Sequence, residues 1–471
     1  MNHLYHHATS GRGSLVILAA AGGLFLASLD FSINVSLPVI RDSLNESLVT
    51  VQWIIVIYHA SRSGMGFGAG GLGDAFGLRR LFLIGVVLNT LAVGFIALQH
   101  GLPGVVGFRV LQGLGAGILF TASPALVARA FGPDRRGAAL GVTIAAVGAG
   151  QVTATLGGGW LAEHIGWQAI FWTRVPIGLF FLAVGALFIH GPAARQPSDA
   201  RREFDWAGMV VLYLTLFLLV LAISFARLDG WISVPTLAPA GLAAAGFAIF
   251  VWVEARCVRP VFPASLLRSA RFRAGAASNL LATVAAFVMW FLFPFFISDT
   301  LHRDPVILGA MLATMGSLTF VGSALGGWLT DRWGDRGMTF AAGVGLALSL
   351  WWMSTISSTA TLWNVAWHAG AIGLAFGVHQ ASVYALTMRG VPSGQSGAAS
   401  ATLAVTQTLG TVLSVSLGTI MLVWRERLAT AAGLGAGDAF VRGYTETFAA
   451  AAVVAVAAGV VALTAQKIRS V

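Results

Sequence analysis

Charge is scarce in this chain. Of 471 residues only 10% are Asp, Glu, Lys or Arg, while 57% are hydrophobic. Soluble domains carry roughly 25% charged residues, so a water-soluble protein of this size is excluded. Cysteine is reduced to Cys257, which excludes an intrachain disulfide and leaves the redox compartment unread. Lysine is reduced to Lys467. A phosphate-cradling G-x-x-x-x-G-K-(S/T) loop therefore cannot be written anywhere in the chain, and ATP-driven pumping by this chain alone is excluded. Metal-ligand spacing is missing from the spans as well: the in-span histidines His59, His368 and His379 form no H-x-x-x-H, there is no carboxylate cluster, and His6 and His7 near the start are too few to argue for a metal. The glycine runs at 113–117 and 157–159 lack the strand-then-helix context of a dinucleotide loop; small residues at such spacings let membrane helices approach closely.

Long apolar runs are what the chain does contain. A helix crossing a hydrocarbon core of about 30 Å needs about 20 apolar residues. Fourteen stretches meet that length: 14–40, 50–72, 81–99, 104–127, 138–161 and 169–190; 206–226 and 235–255; 275–297, 307–330, 338–357, 363–388, 398–424 and 446–465. Barrel strands would be about ten residues with alternating polarity, so these runs predict helices. With the N-terminus in the cytoplasm, 19 of the 28 basic residues fall on inner loops and tails and six on outer loops. The inner set includes Arg79, Arg80, Arg129, Arg135, Arg136, Arg195, Arg201, Arg202, Arg256, Arg259, Arg268, Arg271 and Arg273. Clustering on alternate loops is a topology signal and not a nucleic-acid footprint, and it predicts both termini in the cytosol. The first apolar run is too long for a signal-peptide core, so no cleavable signal is expected.

Two segments repeat. Gly70–Arg79 and Gly327–Arg336 both read G-x-L-x-D-x-(F/W)-G-x-R, 257 residues apart. Weaker echoes at an offset of 260 pair Gly113, Leu114 and Gly117 with Gly373, Leu374 and Gly377, and Gly150 with Gly410. The expected architecture is an all-α polytopic membrane protein with fourteen transmembrane helices. It comprises two six-helix pseudo-repeat bundles, 1–190 and 275–471, and an inserted two-helix hairpin at 206–255, joined through cytoplasmic linkers at 191–205 and 256–274. Paired bundles of this kind predict alternating access around a midplane site.

At this point a resemblance can be stated. Gly70, Leu72, Asp74, Gly77 and Arg79 resemble the loop signature between spans 2 and 3 of the major facilitator superfamily, with Ala75 and Leu78 in place of usual basic residues. Arg109, Gln112, Gly113 and Gly115 resemble its span 4 motif. Leu29-Asp30-Phe31 with Asn34, Leu37 and Pro38 resembles the span 1 motif of the fourteen-span drug:proton antiporter group, and Trp167, Ile170, Phe171, Pro176, Ile177 and Gly178 resemble its span 5 to 6 segment. The chain departs from that group twice. Ala154-Thr155 stands where Gly-Pro precedes the spaced pair Gly158 and Gly159, and Arg174 stands where Asn is usual. The resemblance implies a secondary active transporter, not an enzyme. It would export small amphipathic drugs or metabolites in exchange for protons, with antibiotic resistance as the associated phenotype. It implies no cofactor beyond the proton gradient. The expected partners are lipid, protons and a small-molecule substrate, without nucleic acid, and the chain is expected to act as a monomer in a cell membrane. The missing Pro and the surplus Arg leave open a facilitator or proton-coupled carrier of an organic anion.

Among eighteen acidic residues only Asp30 lies well inside a span. A charge at that depth costs roughly 2.5–3.5 kcal/mol on insertion scales, so it requires a partner, a proton or a function. The hairpin of spans 1 and 2 turns near residue 46, which places Asp30 and Arg62 at equal depth as expected ion-pair partners; a static bridge orienting two helices is the alternative. Arg109, in span 4, is permanently charged, and the resemblance gives it a part in proton relay. Asp30, Arg62 and Arg109 are therefore the expected proton-coupling residues. Arg62, Arg109 and Arg174 against Asp30 leave a formal +2, which favours neutral or anionic substrates. The expected substrate cavity includes Tyr58, His59 and Gln112, the span 9 aromatics Phe287, Trp290 and Phe291, and His368, next to Ala369, the repeat equivalent of Arg109. Phe287, Trp290, Phe291 and Pro294 share one helix face. The expected conformational gate comprises Gly70, Asp74, Gly77 and Arg79, their counterparts Asp331 and Arg336, and the pair Gly158 and Gly159.

Overall fold

The computed structural model describes residues 11–131, 133–189, 206–229, 232–254, 256, 264–391 and 396–465, and among these every regular element is helical. In chain order the helices are α1 (Gly11–Ser28), α2 (Ser32–Ser43), α3 (Leu48–Val51), α4 (Trp53–Phe76), α5 (Leu78–Ile96), α6 (Leu102–Ala130), α7 (Pro133–His164), α8 (Ala169–Trp172) and α9 (Arg174–Phe188). They continue with α10 (Trp206–Asp229), α11 (Val234–Glu254), α12 (Ala270–Phe295), α13 (Pro305–Trp333), α14 (Asp335–Met353), α15 (Leu362–Met388), α16 (Ser396–Ala431) and α17 (Ala436–Ala462). Eleven of the described helical segments are long and apolar enough to cross a membrane. The expected stretches at 50–72, 138–161 and 338–357 coincide with three further helices, α4, α7 and α14.

Helix ends follow local chemistry. Ser47 and Thr50 form a reciprocal capping box that starts α3 after the turn at 44–47. Thr361 caps α15 by accepting from the Asn364 N–H at 3.3 Å. Gly77 is the sole residue between α4 and α5, and Gly334 the sole residue between α13 and α14; their φ values are +89° and +83°. Only glycine takes that backbone conformation without steric cost. This accounts for the second glycine of the repeated motif.

The chain divides into two compact units, Met1–Leu221 with Leu237–Val261 and Ala222–Thr236 with Phe262–Val471. Residues 206–221 of α10 and most of α11 thus belong with the first unit. The expected linker at 191–205 lies outside the described residues. The other, expected at 256–274, already contains a 3₁₀ turn at Ala264–Arg268 and the first residues of α12, which starts at Ala270 rather than 275.

Glycines set the closest helix crossings, in matching register within each unit. A Cβ built on Gly113 of α6 would lie 2.6 Å from the Tyr58 carbonyl oxygen of α4, and one on Gly117 would lie 2.7 Å from that of Arg62. In α15, the corresponding distances are 2.3 Å from Gly373 to the Met315 carbonyl and 2.0 Å from Gly377 to that of Thr319 in α13. Likewise Gly150 of α7 meets the Phe25 carbonyl at 2.8 Å, and Gly410 of α16 meets that of Leu280 at 2.9 Å. The neighbours are backbone atoms, which cannot swing aside. Gly377→Ala is therefore expected to destabilise the protein by about 1–3 kcal/mol, the usual cost of overpacking. Gly345→Ala, with nothing within 4 Å of the new methyl, is expected to leave stability unchanged or raised. Melting curves of the two purified variants in detergent check the pair.

Candidate functional site

Between α1 and α2 the chain tightens into one 3₁₀ turn, Leu29–Phe31, which carries Asp30. The Ser28 hydroxyl donates to the Leu24 carbonyl at 2.7 Å and the Ser32 hydroxyl to the Leu29 carbonyl at 3.0 Å, pinning the turn from both sides. Gly158 of α7 admits this turn closely, since its Cβ would stand 2.6 Å from Cβ of Ser32. Gly159, beside it, is buried.

Asp30 is buried among three donors. Arg109 forms a two-pronged pair with it, Nη1 to Oδ1 and Nη2 to Oδ2, the latter at 3.0 Å. Gln112 Nε2 donates to Oδ1 at 2.9 Å, and Gln112 Oε1 in turn accepts from Arg109 Nη1 at 2.8 Å. Arg174, the first residue of α9, donates from Nη1 to Oδ1 at 3.2 Å and from Nη2 to the Ser32 hydroxyl. Arg109 also donates from Nε to the Ile54 carbonyl at 2.8 Å, and its guanidinium carbon lies 4.2 Å from the ring centroid of Tyr58. The two arginines are 1% and 2% exposed. One carboxylate is thereby shared by two permanent cations, and the group keeps a formal +1.

This geometry corrects the expected pairing of Asp30 with Arg62. The carboxylate's partners are Arg109, Arg174 and Gln112, while the Arg62 guanidinium lies over the Phe120 ring at 4.4 Å. The physical reason is register. The turn does not divide the hairpin evenly, because the short helix α3 precedes α4 on one side and a 3₁₀ turn interrupts the other. Asp30 consequently faces Arg109 at the level of Ile54 and Tyr58, and Arg62 stands about one helical turn further along α4. Arg174, counted from the sequence only in the charge balance, is buried directly on Asp30. Its signal was its departure from the usual Asn.

The remaining expected residues fall into three groups. His59 meets the Tyr58 ring edge-on at 5.3 Å, beside the Asp30 cluster. In the second unit Trp290 and Phe291 are buried, and Phe287 meets Phe376 edge-on at 6.0 Å. His368 lies against Trp352 at 4.2 Å, and its Nδ1 contacts the Asn364 carbonyl at 2.8 Å. In the gate set, Arg79 donates to the Ala186 carbonyl at 2.8 Å near the end of α9, and Arg336 donates to the Leu463 carbonyl at the end of α17. Cations there complement the negative ends of those helices. Asp331 pairs with Arg389 at 3.1 Å. Gly70 and Asp74 fall within α4, but the Asp74 side chain lies outside the described residues.

By the register of the glycine crossings, Ala285, Ala369 and Ile372 of the second unit stand where Asp30, Arg109 and Gln112 stand in the first, and all three are buried and apolar. The Asp30 cluster therefore has no counterpart at these matching positions of the second unit. Its surplus cation yields a direct check. Asp30→Ala leaves two buried guanidiniums unpaired and is expected to destabilise by about 3–5 kcal/mol. Arg174→Met leaves a balanced Asp30–Arg109 pair and is expected to cost far less or to stabilise. Thermal unfolding of both variants in detergent decides the ordering.

Comparison with known proteins places this site in context. The sequence profile of the Major Facilitator Superfamily matches residues 20–415. The tetracenomycin C resistance and export protein of Streptomyces glaucescens is 32% identical over 74% of this chain and 64% of its own length, so the match spans less than two thirds of that relative. The multidrug resistance protein Stp of Mycobacterium tuberculosis is 28% identical over 88% of this chain and 77% of its own length. In fold, the chain is similar to the crystal structure of a bacterial homolog of the human lysosomal transporter Spinster, with a TM-score of 0.68, 14% identity and 97% of both chains covered. The chain is an integral, multi-pass membrane protein and belongs to the major facilitator superfamily.

Proposed function

We propose that the protein is a proton-coupled exporter of small amphipathic molecules, working by alternating access. The observation that carries this reading is a carboxylate buried in a membrane-spanning bundle and shared by Arg109 and Arg174. A proton reaching Asp30 competes with its donors, because Oδ1 already accepts from Arg109, Gln112 and Arg174, and Oδ2 from Arg109. Protonation removes the charge that holds the two guanidiniums together. They then repel one another across a medium of low dielectric, which loosens α6 and α9 from the Asp30 turn. Binding of substrate and release of the proton restore the clamp. The energy source is the proton gradient, with no cofactor, and the protein acts as a monomer.

The arrangement proposed around this site has fourteen spans, two six-helix bundles at 1–190 and 275–471, and the hairpin at 206–255 with its linkers. Both termini are cytoplasmic and the host is a cell membrane. Matching glycine crossings in the two units support the bundle repeat. The relatives, which include an export protein, a multidrug resistance protein and a methylenomycin A resistance protein, support drug efflux. The gate residues support conformational change through the caps that Arg79 and Arg336 place on terminal helices.

A second reading, carriage of an organic anion, is favoured by the +1 balance of the Asp30 cluster. One experiment separates them. Proteoliposomes under an imposed pH gradient are loaded with ethidium, tetracenomycin C or fluorescein, and compound-induced proton flux is followed. Export of the cationic or polyketide probe against proton entry supports the first reading, and movement of the anion alone supports the second. Asp30→Asn is expected to reduce coupled flux by about 10²-fold, the scale of losing a positioned acid–base group; undiminished flux removes Asp30 from the coupling mechanism.

A further inference from the structure

The hairpin formed by α10 and α11 has no counterpart in the repeat, yet a chain of hydrogen bonds ties it to Val110, the chain neighbour of Arg109. Ser61 of α4 is fully buried, and its hydroxyl donates to the Val110 carbonyl of α6 at 2.7 Å. Its oxygen lies 3.1 Å from the hydroxyl of Tyr213 in α10. A serine hydroxyl has one proton. Since that proton is engaged by Val110, Tyr213 is the donor in the second bond, and the sequence of donation runs Tyr213 to Ser61 to Val110. Val110 is the neighbour of Arg109. The same pair of helices is cross-linked in the reverse direction by Arg109, whose Nε donates to the Ile54 carbonyl of α4. Residues 109 and 110 are therefore held to α4 by two reciprocal bonds, one of which receives its second partner from the hairpin.

Docking of the hairpin at this point is built into the backbone. A Cβ on Gly64 would lie 2.4 Å from Cδ2 and 3.0 Å from Cα of Tyr213, so α10 approaches α4 more closely than any other residue at 64 allows. One turn earlier along α10, Met209 packs on the apolar core of the first unit, which includes Tyr58 and Leu119. Thr215 of α10 receives Gly246 of α11, whose Cβ would meet its Oγ1 at 2.4 Å. By contrast, only 17% of the apolar window of α11 is buried, which leaves its other face to lipid. Among these contacts, that of Tyr213 with Ser61 supplies the hydrogen bond to α4.

We propose that Tyr213 is a positioning residue for proton coupling: through Ser61 it fixes the segment of α6 that presents Arg109 to Asp30, and the hairpin serves as a brace for that segment. A hydroxyl that accepts while it donates is polarised and binds the Val110 carbonyl more strongly. Loss of the Tyr213 hydroxyl leaves Ser61 a single partner and lets α6 shift relative to α4. The consequence is a looser grip of Arg109 on Asp30, felt in the tightness of coupling rather than in folding.

This inference rests on the proton-coupled reading above, and the test keeps the two apart. Proteoliposomes of the full chain are assayed with the same three probes for two quantities, probe flux driven by an imposed pH gradient and probe exchange at equal pH. If the intact protein shows no gradient-driven flux with any probe, the coupled reading itself fails. Where it does, Tyr213→Phe, which keeps the ring against Gly64, is expected to lower gradient-driven flux about five-fold, the equivalent of one lost hydrogen bond. Equal-pH exchange and melting temperature should stay unchanged. A merely structural role would lower both fluxes together. Ser61→Ala should reproduce the effect, and the double variant should be no worse than either single one. A wild-type flux ratio in Tyr213→Phe, or additive losses in the double variant, would overturn the proposal.

Discussion

A lone carboxylate inside a membrane bundle cannot stand without partners, and the first unit is organised around supplying them to Asp30. Four separate segments converge on it: the 3₁₀ turn that bears it, α6 through Arg109 and Gln112, α9 through Arg174, and α7 through the glycine that admits the turn. Each approach depends on an absence of bulk. Gly113 lets α6 lie against the Tyr58 carbonyl, and Gly158 lets α7 lie against Ser32. The polar contacts and the small residues are therefore one device. Buried ion pairs add little net stability, because desolvation offsets attraction; what they fix is register, and here they fix the register of four segments at once.

The two units share a packing scheme and differ in chemistry. The carbonyls of Tyr58 and Arg62 meet Gly113 and Gly117 as those of Met315 and Thr319 meet Gly373 and Gly377. Yet Ala285, Ala369 and Ile372 replace the charged and amide side chains of the first unit. Close helix approach is a property that both units need, so both keep glycine. At the matching positions the first unit thus carries charge and the second is apolar, and the second unit also offers buried aromatic surface such as Trp290 and Phe291.

The helices and their crossings were legible in the sequence because they depend on local properties: apolar length, glycine spacing, and a motif whose second glycine must take positive φ. Asp30, Arg109 and Gln112 were legible as chemistry, since charge at membrane depth demands an explanation. Their pairing was not. Counting residues outward from a turn assumes that both arms rise evenly, and the 3₁₀ turn at Leu29–Phe31 with the short helix α3 breaks that assumption. Arg174 was visible as an oddity, but whether a cation at a helix start snorkels or turns inward depends on what it meets, which is a tertiary fact. The Tyr213–Ser61 bond spans 152 positions and joins two unremarkable residue types; no local pattern announces it.

The engagement of the Asp30 oxygens by donors bears on why such a cluster suits a coupled carrier. A carboxylate open to water takes up and releases protons whatever the rest of the protein does, and a carrier built on it would leak. At Asp30 the ionised state is held by three donors, so protonation works against their hydrogen bonds, and they belong to α6 and α9. Under the proposed cycle, protonation and helix movement are thus the same event viewed from two sides. The surplus cation sharpens this exclusivity. With two guanidiniums and one carboxylate, the neutral state of Asp30 leaves like charges facing each other, which favours either an open arrangement or an anionic occupant. Under the same proposal, the imbalance that tightens coupling also sets which ligand charge the first unit tolerates, so that substrate selectivity and proton coupling draw on a single electrostatic source.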